Sequence, residues 1–248
     1  MSAARRPGLT SVLRQSSTHA GLWMDRYLSE HADGAKAKHL SGLVGMPTPE
    51  GYPAAFERWM AGLTGCTTFR ATTQGRMVIG LGAKGVVEAG IRLDRTWGVP
   101  VLPGSALKGL AAAAAHQLTE EKNPRWKKGG KGDLHAALFG TSDGSGLVEF
   151  LDAWWVPGDK LPFELDVITV HHQRYYQGSE APDGTESPVP NSFLSVAGAS
   201  FLVALQPRPG VDARWVDAAA SLLKQGLARL GIGAKTSSGY GRLGVGGG

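Results

Sequence analysis

Two helical patterns, each set among strand-like runs, constrain the fold of this 248-residue chain more than anything else in it. After the turn Pro103-Gly104-Ser105, residues Leu107, Leu110, Ala111, Ala114 and Leu118 recur at helical spacing, and Ser105 stands where a helix cap belongs. Residues 212–230 form the second pattern, with Val216, Ala219, Leu223, Leu227 and Leu230 on one face. Strand character begins at Thr67, and Met77-Val78-Ile79 and Val99-Pro100-Val101-Leu102 precede the first helix. Between the helices lie residues 147–156, rich in aromatic and β-branched side chains, and Phe163, Leu165 and Val167 alternating with Glu164 and Asp166. The apolar run 201–205 follows, and a closing strand is expected after the second helix. This order predicts an α+β fold: a ferredoxin-like sheet with helices on one face, single or as a fused or duplicated pair. Residues 1–66 read as a helical N-terminal extension, with helices within 11–29 and 52–63, and residues 67–248 as the core. Two segments interrupt that core. Residues 120–132, with Pro124, Gly129, Gly130 and several lysines, are expected to be a mobile loop, and residues 173–191 an excursion from the sheet.

Composition narrows the function classes. No run approaches the roughly 18 to 20 apolar residues of a membrane span, and residues 1–21 lack the apolar stretch of a signal peptide, so a cytoplasmic protein is expected. The single cysteine, Cys66, cannot build a disulfide framework or a cysteine zinc site within the chain. The net charge of +5 is concentrated. Residues 120–132 hold five Lys or Arg against two acids, and between residues 225 and 248 the charged side chains are Arg229, Lys235 and Arg242 alone. Such segments attract phosphate backbones or an acidic protein partner.

The C-terminal loop Gly231-Ile232-Gly233-Ala234-Lys235-Thr236-Ser237-Ser238-Gly239-Tyr240-Gly241-Arg242 carries most of the chemistry. It is not a phosphate-binding P-loop, because Ala234 stands where a glycine is obligatory and the helix precedes the loop. Gly80-Leu81-Gly82-Ala83-Lys84-Gly85 matches G-x-G-x-x-G, yet no helix opens after it, so a dinucleotide site is rejected too. What remains is a basic, glycine-dense loop. Its bare peptide N–H groups can reach phosphates, Lys235 and Arg242 supply charge, Ser237 and Ser238 supply donors, and Tyr240 offers a face for a base or ribose. RNA suits that set; the alternative is a flexible tail. The histidines show no metal-ligand spacing, and His171 and His172, adjacent on a strand, point to opposite faces. Neither they nor scattered carboxylates such as Asp25, Asp33 and Asp152 identify an active site, and no metal or cofactor is expected.

Three motifs in order give a more specific reading. Leu102-Pro103-Gly104-Ser105-Ala106-Leu107-Lys108-Gly109 resembles the P-G-S-x-[LI]-[KR]-G turn and helix start of the RAMP superfamily of CRISPR proteins. Leu138-Phe139-Gly140, then Gly146 to Asp152-Ala153, resembles the segment that in those proteins enters a core strand, and the glycine loop is similar to their C-terminal signature. Val170-His171-His172-Gln173-Arg174-Tyr175-Tyr176, with Pro188-Val189-Pro190-Asn191-Ser192-Phe193-Leu194, resembles the sixth-subunit family of the type III-B Cmr effector complex. That resemblance implies an RNA-recognition-motif-like core, a place near the end of the filament that carries the guide RNA, and a protruding hairpin, here 173–191, that wedges into the guide–target duplex. It also implies a non-catalytic subunit, the cleaving aspartate belonging to a neighbouring backbone subunit, with guide RNA, target RNA and other Cmr subunits as partners. Helix-start N–H groups at Gly104 and Ser105, with Lys108 one turn in, would meet a phosphate. The expected RNA contacts are Gly104, Ser105, Lys108, Arg174, Tyr175, Gly231, Gly233, Lys235, Ser237, Ser238, Tyr240 and Arg242, with the turn and the loop on one RNA-facing side. The competing readings are a metal-independent endoribonuclease using His171 or His172 and a scaffold that touches only proteins.

Overall fold

A computed structural model describes residue 15 and residues 17–30, 34–81, 91–118, 123–129, 132–170 and 189–246. Asp33, Gly82 to Gly85, His171, His172, Arg174, Tyr175 and most of the 173–191 excursion lie outside the described residues. Six helices are described: α1 (Ala20–Arg26), α2 (Ala35–Ser41), α3 (Tyr52–Ala61), α4 (Gly104–Leu118), α5 (Asp133–Phe139) and α6 (Ala213–Arg229). The strands are β1 (Thr67–Thr73), β2 (Arg76–Met77), β3 (Val101–Leu102), β4 (Val148–Phe150), β5 (Ala153–Trp155), β6 (Phe163–Val170), β7 (Val189–Ala197), β8 (Ser200–Pro207) and β9 (Leu243–Gly246).

The strands form two sheets, and every pairing is antiparallel. The main sheet has the order β3-β5-β8-β1-β9, with β4 also on β8, and the smaller one the order β2-β7-β6. Residues 147–156, expected as one strand, form two short ones that pair with successive parts of β8, Phe150 opposite Leu205 and Trp154 opposite Leu202. The break falls at Leu151 and Asp152, where the Asp152 carboxylate turns aside to accept the Gly104 N–H at 2.7 Å.

Along β1 burial alternates, with Phe69, Ala71 and Thr73 inward and Thr68, Arg70 and Thr72 exposed. The inward residues meet α6, whose buried stripe is Val216, Ala219, Ala220, Leu223 and Leu227, as its apolar spacing predicts. Asp212 starts that helix by accepting the Arg214 N–H at 2.8 Å. Helices α4 and α6 pack on each other, and each fully buried leucine at such a contact contributes roughly 1.5–3 kcal/mol.

The opposite face of the main sheet is not bare. Register puts Trp154 with Leu202 and Arg70 on the side away from α6, and there Trp59 of α3 stacks on Trp154 at 5.0 Å and 6°. Helices therefore lie on both faces, a correction to the one-sided arrangement expected. Tyr52 anchors α3: it is buried to 1% and its hydroxyl donates to the Trp155 carbonyl. Burial, and then the charge of Asp94, push that phenol well above its ordinary pKa, so it stays a donor. Helices α1 and α2 are tied by Trp23 Nε1 donating to the His39 carbonyl at 3.0 Å and His39 Nε2 donating back to the Trp23 carbonyl at 2.9 Å. Tyr52→Phe leaves a buried carbonyl without its donor and is expected to lower unfolding free energy by about 1–3 kcal/mol in urea melts.

Candidate nucleic-acid interface

The C-terminal glycine loop is built by self-packing. Ala234 N–H donates to the Val78 carbonyl at 2.8 Å, Gly241 N–H to the Arg76 carbonyl at 2.9 Å and Ile232 N–H to the Gly241 carbonyl at 2.8 Å. Two glycines make that closeness possible. A Cβ on Gly233 would lie 2.2 Å from the Val78 carbonyl oxygen, and one on Gly241 would lie 2.0 Å from that of Ile232, with both residues at positive φ. Ser238, Gly239 and Tyr240 N–H groups turn back to Lys235 and Thr236 within a single 3-10 turn. Of the expected array of bare amides, those of Gly231, Ile232, Ala234, Ser238, Gly239, Tyr240 and Gly241 are spent inside the chain, whereas those of Gly233, Lys235, Thr236 and Ser237 donate to nothing among the described residues. The loop instead offers the exposed side of Ser237, Ser238 and Gly239, beside half-buried Lys235.

Lys235 has φ 61°, the one non-glycine residue at positive φ among the described residues. A side chain there costs about 1–2 kcal/mol. Its carbonyl receives both Ser238 N–H and Tyr240 N–H, and its Nζ lies 6.0 Å from the centre of the Phe193 ring. Tyr240 does not offer a free face: its ring is tilted against Phe193 and its hydroxyl donates to Asp166 Oδ2 at 2.7 Å. Arg76 completes the cluster, pairing with Asp166 at 3.1 Å and Glu164 at 2.9 Å and donating to the Leu165 carbonyl at 2.9 Å. Desolvation alone would raise the Asp166 pKa, but the bonds from Tyr240 and the Val167 N–H and the Arg76 charge outweigh it, holding the carboxyl below its ordinary range. Arg242 donates nothing to this cluster; its carbonyl receives Gln74 N–H, and its Nη1 is buried without an acceptor among the described residues.

Gly104, Ser105 and Lys108 lie elsewhere. They line a groove of about 650 Å³ with the loop Thr141 to Gly146 and with Arg208, which pairs with Glu149 at 3.6 Å. No residue of the glycine loop lines it, and in the main sheet β8 and β1 stand between the β4–β5 junction at Gly104 and β9, into which the glycine loop runs. The turn and the loop therefore do not form one groove. Nor does Ser105 cap α4. The helix starts at Gly104, whose N–H is taken by Asp152, so a phosphate approaching it would meet a carboxylate. A Cβ on Gly104 would fall 2.0 Å from the Phe150 carbonyl oxygen, so the glycine of this motif serves close packing.

Part of the 120–132 segment is also more ordered than expected. Residues Pro124–Trp126 make a 3-10 turn, and Arg125 grips Asp133 at 2.6 and 2.9 Å. Among the histidines, His135 is buried on α5, and burial pushes its pKa down. Among the described residues no three His, Cys, Asp or Glu side chains are grouped to hold a metal.

Comparison with known proteins decides the family. The model of the RAMP superfamily matches residues 70–244. The CRISPR system Cmr subunit Cmr6 of Pyrococcus furiosus is 34% identical over 230 residues, covering 71% of this chain and 67% of that protein. The chain belongs to the RAMP superfamily and, within it, to the Cmr6 family. The Cmr6 subunit of Saccharolobus solfataricus is 26% identical over 178 residues, and the chain spans 55% of its length. A chain in the cryo-EM structure of the type III-B Cmr-beta bound to cognate target RNA shares the fold, with a TM-score of 0.66 at 20% identity over 86% of this chain and 71% of that one.

For this RAMP chain, the residues that sequence reasoning passed over are Arg76, Glu164 and Asp166, which brace the signature loop, together with Asp152's role at the α4 start. No local motif marks them. The alternation of Glu164 and Asp166 with apolar neighbours was the available signal, and it reads equally well as a solvated strand face. Tyr240→Phe removes one of the bonds that lower the Asp166 pKa. Because a depressed carboxylate contributes stability above its unfolded pKa and loses it as pH falls through its folded one, the variant is expected to unfold at higher pH during acid titration. Circular dichroism against pH checks this, with a loss of about 0.5–1.5 kcal/mol expected near neutrality.

Proposed function

We propose that this chain is a non-catalytic, RNA-binding subunit of a type III-B CRISPR Cmr complex, working in the cytoplasm. It holds the guide RNA backbone near one end of the filament, supports target RNA recognition and packs against other Cmr subunits. The observation that carries the reading is the 34% identity with the Pyrococcus furiosus Cmr6 subunit over most of the chain. On this reading the path β1–α4–β4/β5–β8–α6–β9, in the sheet order β5-β8-β1-β9, is a ferredoxin-like, RNA-recognition-motif-like core.

Such cores often stack bases on aromatic side chains of the open sheet face. Here Trp59 already covers Trp154 on that face, which favours a different seat for RNA. The seat we assign is the exposed edge of the glycine loop, where Lys235, Ser237 and Ser238 converge on a backbone made rigid by its bonds to Arg76 and Val78. A lysine kept at a φ that favours glycine supports this, since strain of that kind accumulates where function requires it. Gly231, Gly233 and Tyr240 then act through the loop's shape. Gly104, Ser105 and Lys108 offer a second, weaker contact through Lys108. Contacts to phosphate in this arrangement carry no base preference.

Lys235→Gly separates the two roles of that residue. It relieves the positive φ, so stability should hold or rise by up to about 1 kcal/mol, while a phosphate contact is lost. Filter binding of single-stranded RNA across a salt series should show weaker affinity and a log–log slope shallower by about 0.7. Labelled RNA should be recovered uncut from wild type. Unchanged affinity and slope would remove the loop as the RNA seat.

A further inference from the structure

A second groove of about 650 Å³ runs between α1 and residues 91–95, and it shares no lining residue with the glycine loop or the Gly104 groove. Its apolar wall is Leu22, Ile91 and Leu93, and Leu22 is 47% exposed, one of the four large apolar side chains so exposed among the described residues. Arg26, Arg92 and Arg95 stand around that wall, all exposed, and none forms an ion pair among the described residues. The acids present are Asp25 and Asp94. Asp94 is engaged in its own turn, its Oδ1 accepting Thr96 N–H at 2.9 Å and Trp97 N–H at 2.8 Å. Three arginines against two aspartates leave the groove a net positive rim around an aliphatic floor.

One wall is preformed. Arg92 N–H donates to the Ile79 carbonyl at 2.8 Å and Asp94 N–H to that of Val99 at 2.8 Å, so residues 91–95 are stitched to the core on both sides. A partner entering a preset groove loses little to ordering it. The lining also discriminates between classes of partner. No Phe, Tyr or Trp lines the groove, and the one imidazole that does, His19, is engaged as the cap of α1 by accepting the Leu22 N–H at 3.1 Å, so a nucleic acid would find charge but little free aromatic surface on which to stack its bases. An aliphatic side chain would bury against Leu22 and Leu93, and carboxylates beside it would meet guanidinium groups whose planar fork suits them.

We infer that this groove docks a neighbouring protein subunit through an acidic segment that seats an aliphatic side chain on Leu22 and Leu93 and sets carboxylates against Arg26, Arg92 and Arg95. The inference rests on the proposal that the chain works within a multisubunit Cmr complex. RNA binding and subunit docking then occupy different surfaces of one chain.

The test reconstitutes the full chain with purified Cmr subunits and guide RNA and follows incorporation by size-exclusion chromatography as concentration falls. Arg92→Glu with Arg95→Glu should need about tenfold more protein for half incorporation, while the free chain binds single-stranded RNA as wild type does. Leu22→Asp, at a half-exposed position, carries the same expectation and covers the case in which the charge reversal melts early. Incorporation equal to wild type for both variants overturns the inference. So does weakened RNA binding with assembly intact, which would make the groove a nucleic-acid site. Wild type that does not assemble with the other subunits would overturn the functional proposal and the groove with it, whereas the first two results leave that proposal standing.

Discussion

Two hydrogen bonds from the glycine loop to the backbone of residues 76–78 join the two sheets of this protein. Ala234 N–H to Val78 and Gly241 N–H to Arg76 bring the segment that enters β9 of the main sheet against the strand β2 of the small sheet. Nothing with a side chain fits at Gly233 or Gly241 at that distance. Once the loop is seated, Tyr240 reaches Asp166, Arg76 bridges Asp166 and Glu164, and Lys235 is left at the rim in a left-handed conformation. A family signature that looks like a ligand-binding glycine run is thus first a packing device. Whatever it binds is met by the few side chains and amides that packing leaves outside.

The same logic applies at the other signature. The glycine of Pro103-Gly104-Ser105 lets α4 start against the backbone of Phe150, and Asp152 fills the anion position at the helix start with a carboxylate of the chain itself. Both motifs therefore join distant parts of the fold, and they sit at different edges of the main sheet. With α3 over Trp154, the surfaces open to partners among the described residues include the rim of the glycine loop, the polar groove at Lys108 and the arginine-rimmed groove beside α1.

What was legible in the sequence follows interaction range. Helices α4 and α6 follow from periodicity, because their apolar spacing is a local record of which face is buried, β1 from the strand character that begins at Thr67, and β8 from its unbroken apolar run 201–205, which is buried on both faces. The order of those elements also predicts an antiparallel sheet backed by two helices. The break between β4 and β5 was not legible, since it accompanies a bond between residues 48 positions apart, Gly104 and Asp152. Tyr240 and Asp166 are 74 apart and Arg76 and Leu165 are 89 apart, and no single-residue pattern encodes either pairing. Ser105 looks like a cap because serine often is one; the carboxylate that accepts at the helix start comes from the break between β4 and β5, far away in sequence. The basic, small side chains of the glycine loop are plain in the sequence, but the partners of its amides, Val78 and Arg76, lie far away in sequence and leave those amides looking free for a ligand.

The signature loop is folded upon the chain itself before any RNA arrives. Amide hydrogen exchange on the free protein, resolved at Ile232, Ala234 and Gly241, tests it most directly. The account predicts that these three amides exchange as slowly as those of β1 and change little when single-stranded RNA is added. Fast exchange in the free protein that slows only with RNA would contradict it, and would return those N–H groups to the ligand.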